Sequence, residues 1–78
     1  MTTTDSVIGI IKDISPQTKV DASNTSAELF DLGLDSLDHA SVLLQIEETF
    51  GIKIPDADSE RLVTVDAIVK FIADRAQS

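Results

Sequence analysis

The chain has no cysteine, no tryptophan and no tyrosine, and only three of its 78 residues are glycine and two are proline. Without cysteine there is no disulfide framework, no thiolate-ligated zinc and no thiol nucleophile. Basic residues are scarce too. Six lysines and arginines against fourteen acids leave a formal net charge of −8, which repels phosphate backbones and anionic membrane surfaces. No apolar run approaches the ~18 residues of a membrane span, and Met1 to Asp5 has no basic stretch leading into an apolar one. Nucleic acid and membrane insertion are therefore not expected, and the expected location is cytoplasmic.

What remains is enough for one small globule. Hydrophobic residues make up 42% of the chain, so a core can form, but the length leaves room for a single domain over residues 1–78 and no second catalytic lobe. The charge is unevenly placed. Residues 28–66 hold ten acids, among them Asp31, Asp35, Asp38, Glu47 and Glu48, against only Lys53 and Arg61, while acids and bases cancel elsewhere. An acidic block of this kind is either a solvated face or a surface for basic partners.

Hydrophobic spacing marks three main helices. Val7, Ile8, Ile11 and Ile14 predict a first helix over 5–14, after a threonine run able to cap it and before the stop at Ser15-Pro16. A long Ser, Thr, Asn and Asp-rich loop follows, with one turn expected near Ala27 to Phe30. Long connections in compact domains are more often functional than idle. The strongest helix runs from Asp35 to Phe50, with an acid at its start and Gly51 past its end. Its core stripe is Val42, Leu43, Ile46 and Phe50; a second apolar set, Leu37, Ala40 and Leu44, lies on a neighbouring face, either wrapped by the bundle or left as a docking patch. Asp56 to Leu62 suits one or two helical turns, and Val65, Ile68, Val69 and Ile72 mark a last helix capped by Thr64 and fading at Arg75. No strand pattern appears. The expected fold is all-α, a small four-helix bundle of three main helices and one short one, with a long loop between helices 1 and 2.

Tests for chemistry mostly fail. His39 is the only histidine, and with Ser36 at i, i+3 it makes the only conceivable nucleophile and base pair, without an orienting third group. A packed or half-exposed histidine is the better reading. EF-hand spacing is refused as well: starting from Asp31, the third and sixth positions are Gly33 and Ser36, so the acidic ligand and the turn glycine are both out of place. No metal site is expected beyond loose binding of divalent cations to the acidic face.

Ser36, in Gly33-Leu34-Asp35-Ser36-Leu37, stands at the first turn of the strongest helix and at the end of the long loop. By itself this is an ordinary helix start, where serine and aspartate are favoured. The full run Asp31-Leu32-Gly33-Leu34-Asp35-Ser36-Leu37-Asp38, followed by Ile46-Glu47-Glu48-Thr49-Phe50 and then Ile54-Pro55-Asp56, resembles the acyl carrier proteins, and the likeness extends in helix order and loop length over residues 5–75. The resemblance implies that Ser36 bears a 4'-phosphopantetheine arm, transferred from coenzyme A by a phosphopantetheinyl transferase, whose thiol holds acyl groups as thioesters for fatty-acid, lipid or polyketide synthesis enzymes. It implies that Asp35, Asp38, Glu47 and Glu48, with Leu37, Ala40 and Leu44 at the centre, dock basic surfaces on those enzymes. It also implies that Val7, Ile46, Ile54, Leu62 and Ile68 border an apolar cavity for the acyl chain. On that reading the chain is a monomeric carrier and not an enzyme. Ser41 and Lys53 stand near positions where many fatty-acid carriers have acids, and His39, Phe30 and Pro16 are unusual there, which points to a specialised member.

Two alternatives remain at this level: a peptidyl or aminoacyl carrier, which shares the Asp-Ser-Leu element, and an unmodified acidic helical interaction module in which Ser36 is only part of a helix start.

Overall fold

Thr2 begins the structure with a reciprocal cap. In the computed structural model, which describes residues 2–76, its hydroxyl accepts from the Asp5 N–H at 3.1 Å while the Asp5 carboxylate accepts from the Thr2 N–H at 3.3 Å. Helix α1 therefore runs Thr3–Ile14, two residues earlier than its apolar spacing indicated. The polar cap starts it, not the first apolar residue. Helix α2 is Ser36–Phe50, α3 is the short Asp56–Ser59, and α4 is Val65–Ala76. No strand occurs among the described residues, and the outermost residues of the expected domain, 1, 77 and 78, lie outside them.

The core is drawn from every long element and from the loop. Val7 and Ile11 of α1 meet Val42, Leu43 and Ile46 of α2, and Val65, Ile68 and Ile72 of α4, all buried. Each such side chain contributes about 1.5–3 kcal/mol by leaving water. Phe50, expected in the α2 stripe, is only half-buried, as are Ile8, Ile14 and Val69. The helix faces are thus narrower than the apolar spacing suggested. The second α2 face is not wrapped at all: Leu37 is 81% exposed and Leu44 58% exposed.

The long loop is well organised. Val20 and Leu29 are fully buried plugs in the core, and the backbone between them is fastened at several points. The Lys19 N–H reaches the Leu32 carbonyl at 2.8 Å, the Leu29 N–H reaches that of Val63 at 2.7 Å, and the Asp66 N–H reaches that of Thr25 at 3.0 Å. Ser15 and Thr18, both buried, satisfy each other through a 2.8 Å hydroxyl bond. Asp21 accepts from the Ser23 hydroxyl and from the Ser23 N–H. These bonds, the hydroxyl first, hold the Asp21 carboxyl below its ordinary value. The turn is therefore supported at neutral pH, and that support fades only as pH falls through the lowered value.

The expected turn falls at Leu29–Leu32, as a 3₁₀ turn, two residues later than anticipated. Buried Leu29 anchors its start and Gly33 ends it in a left-handed conformation at φ 101°. Gly33 and Gly9 should respond oppositely to substitution. Gly33→Ala forces a side chain into the left-handed region and should destabilise by about 1–2 kcal/mol. Gly9, in the exposed middle of α1 with no atom near an added Cβ, should gain about 0.5–1 kcal/mol as alanine. Denaturant melts of the two variants check both signs.

Candidate functional site

Gly33 turns the chain, Leu34 buries beneath it, and Asp35 starts α2. The Asp35 carboxylate accepts from the Asp38 N–H at 2.7 Å and its carbonyl accepts from the His39 N–H at 2.9 Å, which fixes the first turn of the helix. Ser36 follows at once. It is exposed, and among the described residues no hydrogen bond engages its hydroxyl. Ser15 is buried against Thr18, Ser23 is bound to Asp21, and Ser59 donates to the Asp56 carbonyl. Ser26 and Ser41 are also exposed, but Ser26 lies in the long loop and Ser41 in the middle of α2, so of these three Ser36 alone stands in a helix's first turn.

His39 is committed elsewhere. Its Nε2 lies 2.8 Å from the Leu62 carbonyl, which can only accept, so Nε2 carries the proton and donates. Its ring sits 5.2 Å from that of Phe30, tilted at 56°. The Ser36–His39 nucleophile pair considered from sequence is therefore not assembled. No group of three or more His, Cys, Asp or Glu side chains among the described residues is arranged to hold a metal ion.

Along α2, Asp35, Leu37, Ala40, Leu44 and Glu48 are exposed and Asp38 is half-exposed, forming one acidic and apolar surface beside Ser36. Asp35 and Asp38 also suit the positive end of the helix. Glu47 differs from its neighbours. It is half-buried, and its Oε2 accepts from the Ile54 N–H at 2.7 Å, a role invisible in a sequence where it reads as one more surface acid.

Between α2 and α3 runs an open groove of about 270 Å³, lined by His39, Ala40, Leu43, Leu44, Glu47, Ile54, Asp56 and Ser59. Of the five residues expected to border an apolar cavity, only Ile54 lies along it. Val7, Ile46 and Ile68 are fully buried in the core that joins α1, α2 and α4, and Leu62 is buried on the far side, beside a second groove against α4. The open space lies between α2 and α3, where the short helix cannot fill it.

A family model described as a phosphopantetheine attachment site matches residues 6–72. The chain is 38% identical over 78 residues to acyl carrier protein 2, mitochondrial, of Arabidopsis thaliana, an alignment that takes in 96% of this chain and 60% of that one. It therefore spans less than two thirds of the plant protein's length. It is 44% identical over 64 residues to the acyl carrier protein of Helicobacter acinonychis (strain Sheeba), covering 78% of this chain and 82% of that one. With the acyl carrier protein of Helicobacter pylori (strain G27) it shares 42% over the same length and coverage. Such a match, over nearly the whole helical bundle and across the Gly33 to Asp38 junction, settles the class: the chain belongs to the acyl carrier protein family. Members of that family are carriers with covalently attached 4'-phosphopantetheine. An exposed, unbonded hydroxyl at the N-terminal end of a fifteen-residue helix fits a phosphodiester, since helix starts favour phosphate. No helix among the described residues is long and apolar enough to cross a membrane.

The Asp35 cap is what sets the helix start. Asp35→Ala should cost about 0.5–2 kcal/mol, read from denaturant unfolding, and amide exchange should show the loss concentrated at Asp38 and His39.

Proposed function

We propose that Ser36 is the attachment residue and that the chain carries acyl intermediates between separate enzymes while catalysing nothing itself. The observation that supports this most is the exposed, uncommitted Ser36 hydroxyl in the first turn of α2, within the stretch matched by the attachment-site family. The Ser36 oxygen forms the new bond to phosphorus, and the nucleotide half of coenzyme A leaves. The His39 Nε2 is committed to the Leu62 carbonyl, and the proton released by the Ser36 hydroxyl goes to the phosphopantetheinyl transferase. When bound, the arm supplies the thiol that this cysteine-free chain lacks.

The exposed α2 surface is the docking face. Asp35, Asp38 and Glu48, with Glu47 at the edge, attract basic partner surfaces, while Leu37, Ala40 and Leu44 supply the apolar centre of a small, transient contact. The groove between α2 and α3 receives the acyl chain, with Ala40, Leu43, Leu44 and Ile54 as its apolar lining. That apolar side suits an acyl chain. Fatty-acid, lipid and polyketide synthesis all use such carriers. We place this monomeric one in the cytoplasm.

Incubation with coenzyme A and a broad-specificity phosphopantetheinyl transferase should raise the intact mass by one phosphopantetheine in the parent and leave Ser36→Ala, still folded, unchanged. A modified Ser36→Ala protein overturns the assignment. Docking is tested separately, by stopped flow. Reversing Asp38 and Glu48 to lysine should slow association and flatten its salt dependence, because exposed charges act chiefly on the association rate and are screened beyond about 8 Å at physiological salt. Leu44→Ala should mainly speed dissociation.

A further inference from the structure

The segment that roofs the groove is held by very little of its own. The four residues of α3 bury no side chain, and no side chain caps its start; a helix of one turn has no independent stability. Leu62 beyond it is buried, and Ile52 and Ile54 before it are half-buried. An exposed pair, Arg75 to Asp58 at 3.7 Å, adds little.

Two side chains of α2 fasten the segment at its ends. Glu47 accepts from the Ile54 N–H at 2.7 Å, and His39 donates to the Leu62 carbonyl at 2.8 Å. Both line the groove, with Ala40, Leu43 and Leu44 between them in sequence. Eight residues of helix separate them, so they stand about 12 Å apart along the α2 axis. Between the two the α2 wall is apolar, faced by Asp56 and Ser59 of α3; at each latch the α2 wall itself turns polar. Phe30, packed on the His39 ring, backs one end from the loop side.

We propose that His39 and Glu47 are the specificity-determining latches of this carrier: they fix the segment from Ile54 to Leu62 over α2 and so set the length of apolar chain the groove admits. The proposal rests on the reading of the groove as the acyl site. A chain that fits between the latches lies along the apolar α2 wall of Ala40, Leu43 and Leu44. A longer one must press methylenes against the Glu47 carboxylate or the imidazole, or break a latch and strip the Ile54 N–H or the Leu62 carbonyl of its partner, and either choice is unfavourable.

Amide hydrogen exchange on the unloaded protein tests the latches directly. Exchange over residues 52–62 should quicken about fivefold to tenfold in His39→Ala and in Glu47→Ala, while Ile11 of α1 and Ile68 of α4 keep the parent rates. Glu47→Gln, whose side-chain oxygen can still accept, should keep the parent pattern. Unchanged exchange over 52–62, or equal acceleration throughout the domain, overturns the latch. Melting temperatures of parent and alanine variants loaded with saturated acyl groups of increasing length test the consequence. The parent gain should stop rising at one chain length and the variants at a longer one. A common stopping length in all three proteins overturns the specificity role while leaving the groove reading intact. No gain at any length in the parent overturns the groove reading and this proposal with it.

Discussion

The hydrogen bond from the Asp38 N–H to the Asp35 carboxylate, 2.7 Å long, decides where α2 begins, and the position of nearly everything else follows from that start. One residue earlier, Leu34 is buried at 3% exposure; one residue later, Ser36 is exposed. A helix advances by about 100° per residue, so from this start Val42, Leu43 and Ile46 fall on the buried side while Leu37 and Leu44 fall on the exposed side. The apolar face of Val42, Leu43 and Ile46 is held by its burial, and the cap fixes the point at which that helix begins. Gly33 is its necessary neighbour, since the left-handed turn at φ 101° lets the loop meet the helix at that point.

From this start the domain divides into a firm part and a light part. Helices α1, α2 and α4 share the core with the loop plugs Val20 and Leu29, and the loop is bonded to both sides of the α4 start. The segment carrying α3 buries little and is tied down by polar contacts from α2. Low burial and reliance on a few hydrogen bonds are the features of the least stable units in small proteins. Here that unit lies along the groove against α2. The well-packed α2 thus forms one side of the groove and the lightly held α3 segment the other.

The three long helices were legible in the sequence because each is specified locally, by 3.6-residue spacing of Ile, Val and Leu and by a capping residue at its start. The place of Ser36 in the first turn of α2 was legible for the same reason. What could not be read was set by residues distant along the chain. His39 bonds a carbonyl twenty-three residues on, and Glu47 bonds an amide seven residues on across the Gly51 turn; neither spacing has a periodic signature. The same holds for the loop, where polar composition concealed two buried anchors, and for the cavity. Val7, Ile46 and Ile68, expected to border a cavity, come from different helices and are fully buried in the core those helices share.

The central claim is that the junction of Gly33, Asp35 and α2 presents one serine, and only one, for modification. Besides Ser36 the chain has seven serines, at positions 6, 15, 23, 26, 41, 59 and 78. Fragmentation mass spectrometry of the parent protein, after reaction with coenzyme A and a phosphopantetheinyl transferase, locates the added group. The account predicts a single phosphopantetheine on the peptide fragment that contains Ser36, with the other seven serines unmodified. A group found on any of those seven, or a protein that stays unmodified under conditions in which another acyl carrier protein is fully converted, would contradict it.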